Sequence, residues 1–395
     1  EHPAIFLKND PNKFIWWSER DGYNHLYLYD LDGNLIKQLT NGNWVVTDYH
    51  GMSSDESTLY ISSTKETPLE RHLYSVDVLS GKMKNLTRTA GYHRIMANED
   101  CSLFIDDYSN TTTPRKVRLI DSKGNLKEII TKADNPLAAY KLGKMEIGQL
   151  KGNSGEDLYY RIFKPIDFNP RNKYPVVVYL YNGPHLQLVT NKWLGGANLW
   201  YQYMAQKGYV VFSIDGRGSA DRGFDFESAI HRNCGEKEME DQLTGVEWLK
   251  KKKWVDAARM GIHGWSYGGF MTTSMMSRHP GVFKAGVAGG PVIDWTLYEV
   301  MYTERYMDTP QENPEGYERT NLKNHIKNLK GKLLMIHGGQ DDVVLWQHSL
   351  QYLEKAIDEG VQLDYFVYPN HKHNVKGKDR IHLYQKVSEY FFNHL

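Results

Sequence analysis

Cysteine is almost missing: Cys101 and Cys234 are the only two in 395 residues. Two are too few for a disulfide framework or a cysteine metal site, and whether they pair stays open, along with the redox compartment. Long apolar runs are missing as well. No stretch approaches the roughly 20 residues that cross a bilayer, and the opening EHPAIFLKND lacks the basic-then-apolar pattern of a signal peptide. Nor is there an excess of either charge, since 48 Lys plus Arg face 48 Asp plus Glu without a long single-sign run. That balance argues against nucleic acid or an anionic membrane surface as partner.

Aromatic residues, in contrast, are plentiful, with 27 Tyr and 10 Trp. They suit strand-rich structure and sites that grip substrates with ring faces. The length exceeds what one hydrophobic core usually sustains, which predicts two domains.

Residues 1–135 alternate short aromatic or apolar runs with turns: FIWWSER, HLYLYDL, the turn DGN, then LIKQLT. The pattern returns as STLYISST, RHLYSVDVL, SGK and MKNLT, and again as SLFIDDYS, RKVRLID, SKGN and LKEIIT. Thr40, Thr87 and Thr131 anchor the three copies. A period of about 40 to 50 residues with some four short strands predicts β-propeller blades. Closed propellers typically have about four to eight blades, so further blades are expected upstream of this chain. Asp30, Asp32 and Gly33 read as hairpin chemistry, and the Trp16-Trp17 pair as blade packing.

After a linker around 132–142, residues 136–395 change rhythm. YPVVVYLY, GYVVFSID, RMGIHGW, KAGVAGG, KLLMIHG and LDYFVYP are runs of the buried parallel-strand type. Helical stretches separate them, including EMEDQLTGVEWLKKK, WQHSLQYLEKAIDEG and HLYQKVSEYFFNHL. The alternation predicts a doubly wound, mostly parallel α/β domain.

Within it, Gly264-Trp265-Ser266-Tyr267-Gly268 fits G-x-S-x-G, with a strand running in and a helix running out. A serine hydroxyl is a weak nucleophile until an imidazole takes its proton, and the imidazole needs a carboxylate to fix its tautomer. The order Ser, acid, His is available. Asp341 and Asp342 follow the strand KLLMIHG, while His371 and His373 follow LDYFVYP. Each role has two candidates from the residues alone. A metal reading of the H-x-H pair lacks an HExxH motif or a carboxylate cluster to complete it. His263 and His337 read as structural residues near strand ends.

The blocks GWSYGG, DGRGS (215–219), EMEDQ (238–242) and YTERYM (302–307), with the Asp and His loops, together resemble the prolyl oligopeptidase family, in its dipeptidyl peptidase IV branch. GGPVIDW (289–295) and PQENPEGY (310–317) look most like bacterial members, prolyl tripeptidyl aminopeptidases included. The resemblance implies an α/β-hydrolase preceded by the last blades of a β-propeller. It also implies a triad of Ser266, Asp341 and His373, and an oxyanion hole from the Tyr181 hydroxyl and the Tyr267 N–H. A proline pocket would comprise Val292, Trp295, Tyr298, Tyr302 and Val344. On the residues alone, YEVMY reads equally as an ordinary amphipathic helix with Tyr298 and Tyr302 one turn apart.

Two positions depart from the family pattern. Val343 stands where dipeptidyl peptidase IV has an asparagine that helps hold the substrate backbone, and the glutamate pair that grips the substrate amine belongs to propeller outside this chain. Glu299 resembles an ammonium-binding glutamate of tripeptidyl enzymes.

The expectation is a cofactor-free serine exopeptidase that removes two or three residues from a free N-terminus after proline or alanine. Homodimerisation and a periplasmic or envelope location follow from the resemblance alone. One alternative is an acylaminoacyl peptidase or esterase, which would need no proline box. The other is a non-catalytic interaction protein, which would not take a fluorophosphonate on Ser266.

Overall fold

This is a computed structural model; it describes residues 3–395, which divide into two compact units. The first holds the chain up to Tyr140 and two excursions from later sequence, 189–197 and 220–227. The second holds 141–188, 198–219 and 228–395.

In the first unit the described strands form three antiparallel four-stranded sheets, each in sequential order. They are β1 (Ile5–Phe6), β2 (Lys13–Ser18), β3 (His25–Asp30) and β4 (Leu35–Gln38); then β5 (Val46–Met52), β6 (Thr58–Ser63), β7 (His72–Asp77) and β8 (Met83–Asn85); then β9 (Tyr92–Ala97), β10 (Leu103–Ser109), β11 (Lys116–Asp121) and β12 (Leu126–Lys132). These are propeller blades, and their repeat extends to single hydrogen bonds. In the turn before each last strand a carboxylate accepts two bonds from a single residue: Asp30 from the Asn34 N–H and amide at 2.8 and 3.0 Å, Asp121 from those of Asn125 at 2.9 and 3.0 Å, and Asp77 from the Ser80 N–H and hydroxyl at 2.6 Å each.

Two details differ from expectation. Thr40 and Thr87 accept the N–H of Leu26 and Leu73 at 3.0 and 2.9 Å, but Thr131 lies inside β12, opposite Val117 and exposed. It does not close its copy as the other two do. Trp16 and Trp17 also part ways, because adjacent strand residues face opposite sides. Trp17 joins the core with Ile15, Leu26 and Ile61, whereas Trp16 is 48% exposed.

The second unit is built on one eight-stranded sheet in the order β13-β14-β16-β15-β17-β18-β19-β20. Its strands are β13 (Met145–Lys151), β14 (Asp157–Phe163), β15 (Tyr174–Tyr179), β16 (Val210–Asp215), β17 (Val255–Trp265), β18 (Ala285–Gly289), β19 (Lys332–Gly338) and β20 (Asp364–Tyr368). β13 and β14 pair antiparallel and everything from β16 to β20 is parallel. The central strands are Val-, Ile- and Ala-rich because helices cover both faces. The helices of the chain are α1 (Leu199–Gln206), α2 (Phe224–Ser228), α3 (Glu236–Lys250), α4 (Tyr267–Arg278), α5 (Val300–Met307), α6 (Pro314–Thr320), α7 (Gln347–Asp358) and α8 (Asp379–His394). A β-carbon at Gly261 would meet Phe391 of α8 at 2.7 Å; one at Gly286, paired with Ile262, would meet Met276 of α4 at 2.9 Å. Since Gly261 and Ile262 are consecutive strand residues, α8 and α4 lie on opposite faces.

This is the α/β-hydrolase architecture. Parallel strands bring their C-terminal ends to one edge, where sites in open α/β sheets gather. Tyr181, Ser266, Asp341 and His373 all lie just past such ends.

Candidate active site

Ser266 occupies the turn between β17 and α4 with φ 63° and ψ −120°. A non-glycine residue there is strained by about 1–3 kcal/mol, and such strain persists only where the surroundings over-determine it. The surroundings do so. The Ser266 N–H bonds the Gly289 carbonyl at 2.7 Å, and the Ser266 carbonyl receives the Phe270 N–H at 3.0 Å, starting α4. The flanking glycines are required by space: a β-carbon at Gly264 would lie 2.3 Å from the Gly268 carbonyl oxygen, and one at Gly268 2.5 Å from that of Leu180.

Tyr267 is the first residue of α4, so its N–H is among those at a helix start with no intrahelical acceptor. The Tyr181 side chain stands beside Ser266, with its ring centroid 6.0 Å from that of Tyr267. Burial pushes the Tyr181 phenol up, keeping it protonated and able to donate at neutral pH.

The strand-end loops bring one carboxylate and one imidazole of the four candidates together. His373 Nδ1 meets Asp341 Oδ2 at 2.8 Å, and the other carboxylate oxygen accepts the N–H groups of Val343 and Val344 at 2.9 Å each. Burial alone would raise the Asp341 pKa, but the bonds from His337, His373 and Val343 outweigh it and hold the carboxyl well below the usual range. Asp342 instead pairs with Lys372 at 2.5 Å, and His371 with Asp379 at 2.9 Å. Ser266 and His373 line a single cavity of about 350 Å³, shared with Tyr181, Trp265, Asn374 and Arg380.

The aromatic residues form a box. The Trp295 and Tyr302 rings are nearly parallel, 10° and 6.2 Å apart, and Tyr298 stands edge-on to both at 5.7 and 5.3 Å. Tyr267 lies 5.6 Å from Trp295, and Val292 and Val344 are buried. The plain-helix reading of YEVMY does not hold, because α5 starts at Val300 and Tyr298 precedes it in extended backbone. Glu299 is exposed just before α5 and makes no capping bond to it. Val343 is 43% exposed.

Several residues that hold the site carried no role in the sequence reading. The Trp265 indole donates to the His373 carbonyl at 2.8 Å. His337 bonds the Val344 carbonyl and Ser349, and also stands 3.4 Å from Asp341. His263 is structural: its Nδ1 faces the Val287 carbonyl at 2.8 Å, and burial lowers its pKa to about 4. In the EMEDQ block, Glu238 accepts the Tyr267 hydroxyl at 2.6 Å and Asp241 holds Arg217 through its N–H and guanidinium. Their signal was the period: the buried side of α3 runs 238, 241, 242, 245, 246, 249, with its first turn polar. Both cysteines are free and buried.

Residues 198–395 match the model of the prolyl oligopeptidase family, and residues 1–115 that of the dipeptidyl peptidase IV N-terminal region. Human dipeptidyl peptidase 8 is 34% identical over 357 residues, covering 86% of this chain and 40% of that protein. The chain therefore spans less than half the length of this relative. A crystal structure from Bacteroides ovatus, assigned provisionally as a dipeptidyl aminopeptidase IV, superposes with TM-score 0.95 at 43% identity, covering all of this chain and 59% of that one. Porphyromonas gingivalis dipeptidyl peptidase 4 gives TM-score 0.94 at 34% identity, covering 99% of this chain and 56% of that one. The chain belongs to the prolyl oligopeptidase family, in its dipeptidyl peptidase IV branch.

Proposed function

We propose that the chain carries the catalytic machinery of a serine exopeptidase that releases dipeptides from an unblocked N-terminus, cutting after proline. The observation that carries this reading is the strained Ser266 sharing a cavity with the His373–Asp341 pair. The names of its relatives favour two residues released over three.

Ser266 Oγ bonds the carbonyl carbon that follows P1 while His373 takes its proton. The charge developing on the carbonyl oxygen is met by the Tyr181 hydroxyl and the Tyr267 N–H. In the substrate complex the Ser266 hydroxyl comes within hydrogen-bond reach of His373, and the Tyr181 hydroxyl points at the oxyanion. Collapse breaks the C–N bond, and the leaving amine receives the proton from His373. Water, deprotonated by His373, then attacks the acyl-enzyme and restores Ser266. Asp341 holds the imidazole tautomer throughout and stabilises the imidazolium.

Flat faces at Trp295, Tyr298 and Tyr302 suit a pyrrolidine ring, which loses almost no rotamer freedom on burial. Glu299 is free to pair with a substrate ammonium. The resemblance also carries a homodimer and an envelope or periplasmic location, which light scattering and cell fractionation test.

Steady-state cleavage of Gly-Pro-p-nitroanilide and Ala-Ala-Pro-p-nitroanilide, each free and N-acetylated, tests the reading. Turnover of the free dipeptide substrate, lost on acetylation and in Ser266→Ala, is expected. Preference for a short-chain ester, or for acetylated substrate, contradicts it.

A further inference from the structure

The first turns of α3 bury three polar side chains, Glu238, Asp241 and Gln242, each 1% exposed or less. Buried polar groups need partners, and Glu238, Asp241 and the amide nitrogen of Gln242 find theirs around the candidate site. Glu238 accepts the Tyr267 hydroxyl at 2.6 Å, and both its oxygens accept the Gly235 N–H at 3.0 Å. Gln242, one turn further on, donates to Asn182 Oδ1 at 2.6 Å and to the Ile214 carbonyl at 2.9 Å. Asn182 follows Tyr181 directly and has φ 59°, a conformation that its neighbours must sustain. The two loops also touch each other, for a β-carbon at Gly183 would lie 2.8 Å from Tyr267 Cγ.

We propose that Glu238 and Gln242 are positioning residues that set the distance between the two oxyanion donors, Glu238 through the Tyr267 side chain and Gln242 through Asn182. One rigid helix turn thus gauges a gap between loops from β15 and β17. The proposal rests on the function proposed above. Neither residue touches substrate. An oxyanion forms only as the reaction proceeds, so loosening this gauge lowers kcat and leaves substrate binding nearly unchanged.

The test is a double-mutant cycle on the full chain with Gly-Pro-p-nitroanilide. Tyr267→Phe, Glu238→Leu and Gln242→Leu are each expected to lower kcat about 10- to 100-fold with KM within about threefold. The Glu238→Leu/Tyr267→Phe double variant is expected to fall no further than its worse single variant, because both delete one contact. Glu238→Gln, whose amide oxygen still accepts the hydroxyl, is expected to recover most of the rate. Tyr267→Phe removes only an oxygen and carries the test if Glu238→Leu fails to fold. Wild-type turnover with kcat unchanged in Tyr267→Phe and Gln242→Leu, or fully additive losses in the double variant, overturns the gauge alone. A wild type that neither cleaves the substrate nor takes a fluorophosphonate on Ser266 overturns the parent reading and the gauge with it.

Discussion

Asp341 and His373 meet at 2.8 Å although 32 residues separate them in sequence. β19 and β20 are parallel neighbours, so the loops leaving their ends lie side by side. Those loops are tied by two backbone bonds, Gly339 N–H to the Tyr368 carbonyl at 2.9 Å and Gln340 N–H to the His371 carbonyl at 3.0 Å. The pair is thus set by sheet pairing rather than by flexible side chains finding each other.

Asp341→Asn keeps the shape but presents the wrong hydrogen-bonding group to His373. The expected loss in kcat is on the order of 10⁴-fold, with the fold intact by circular dichroism. Asp342→Asn, which removes only the exposed partner of Lys372, is expected to stay within about twofold of wild type.

Tyr181→Phe deletes one oxyanion donor and keeps the ring. A fall in kcat of about 10²- to 10³-fold, near 3 kcal/mol, is expected with little change in KM. Steady-state kinetics on a proline p-nitroanilide measures it.

Ser266 sits at φ 63°, where glycine is unstrained. Ser266→Gly is therefore expected to be more stable than Ser266→Ala by about 1 kcal/mol in urea unfolding, though both are inactive. Equal stability would mean that the turn stores no strain.

Glu238 is buried beside Asp241, Cys234 and Tyr267. Burial dominates, the hydrogen bonds from Tyr267 and Gly235 only partly offset it, and its pKa rises from 4.5 to about 7. Between those values the native state holds a proton that the unfolded chain has released, so this group's contribution is complete below pH 4.5 and is lost as pH rises through 7. Glu238→Gln removes that term. Relative to the variant, wild type is expected to lose stability between pH 5 and pH 8 in denaturant titrations. Asp341 has the opposite sign: its depressed carboxyl stabilises the fold above the ordinary carboxylate range, and that contribution fades as pH falls below it.

Periodicity made the architecture readable in advance. Turn residues recurring at blade spacing marked the three sheets, and short apolar runs alternating with helices marked the hydrolase sheet. The flanking strand and helix identified the Ser266 turn. Partner choice was not readable, because Asp341 and Asp342 are chemically identical and only the loop path decides which one faces His373. The same limit applied to α3. Glu238, Asp241 and Gln242 resemble a solvated helix start until the loops that bury them are in view, and Trp16 resembles Trp17 until the pleat sets them on opposite faces.

The most direct measurement is peptide mapping after reaction with a fluorophosphonate. One adduct per chain on the peptide bearing Ser266, formed at a rate that falls sharply in His373→Ala and Asp341→Asn, is the predicted result. An unlabelled Ser266, or labelling at a rate indifferent to both substitutions, would contradict an activated nucleophile at this turn.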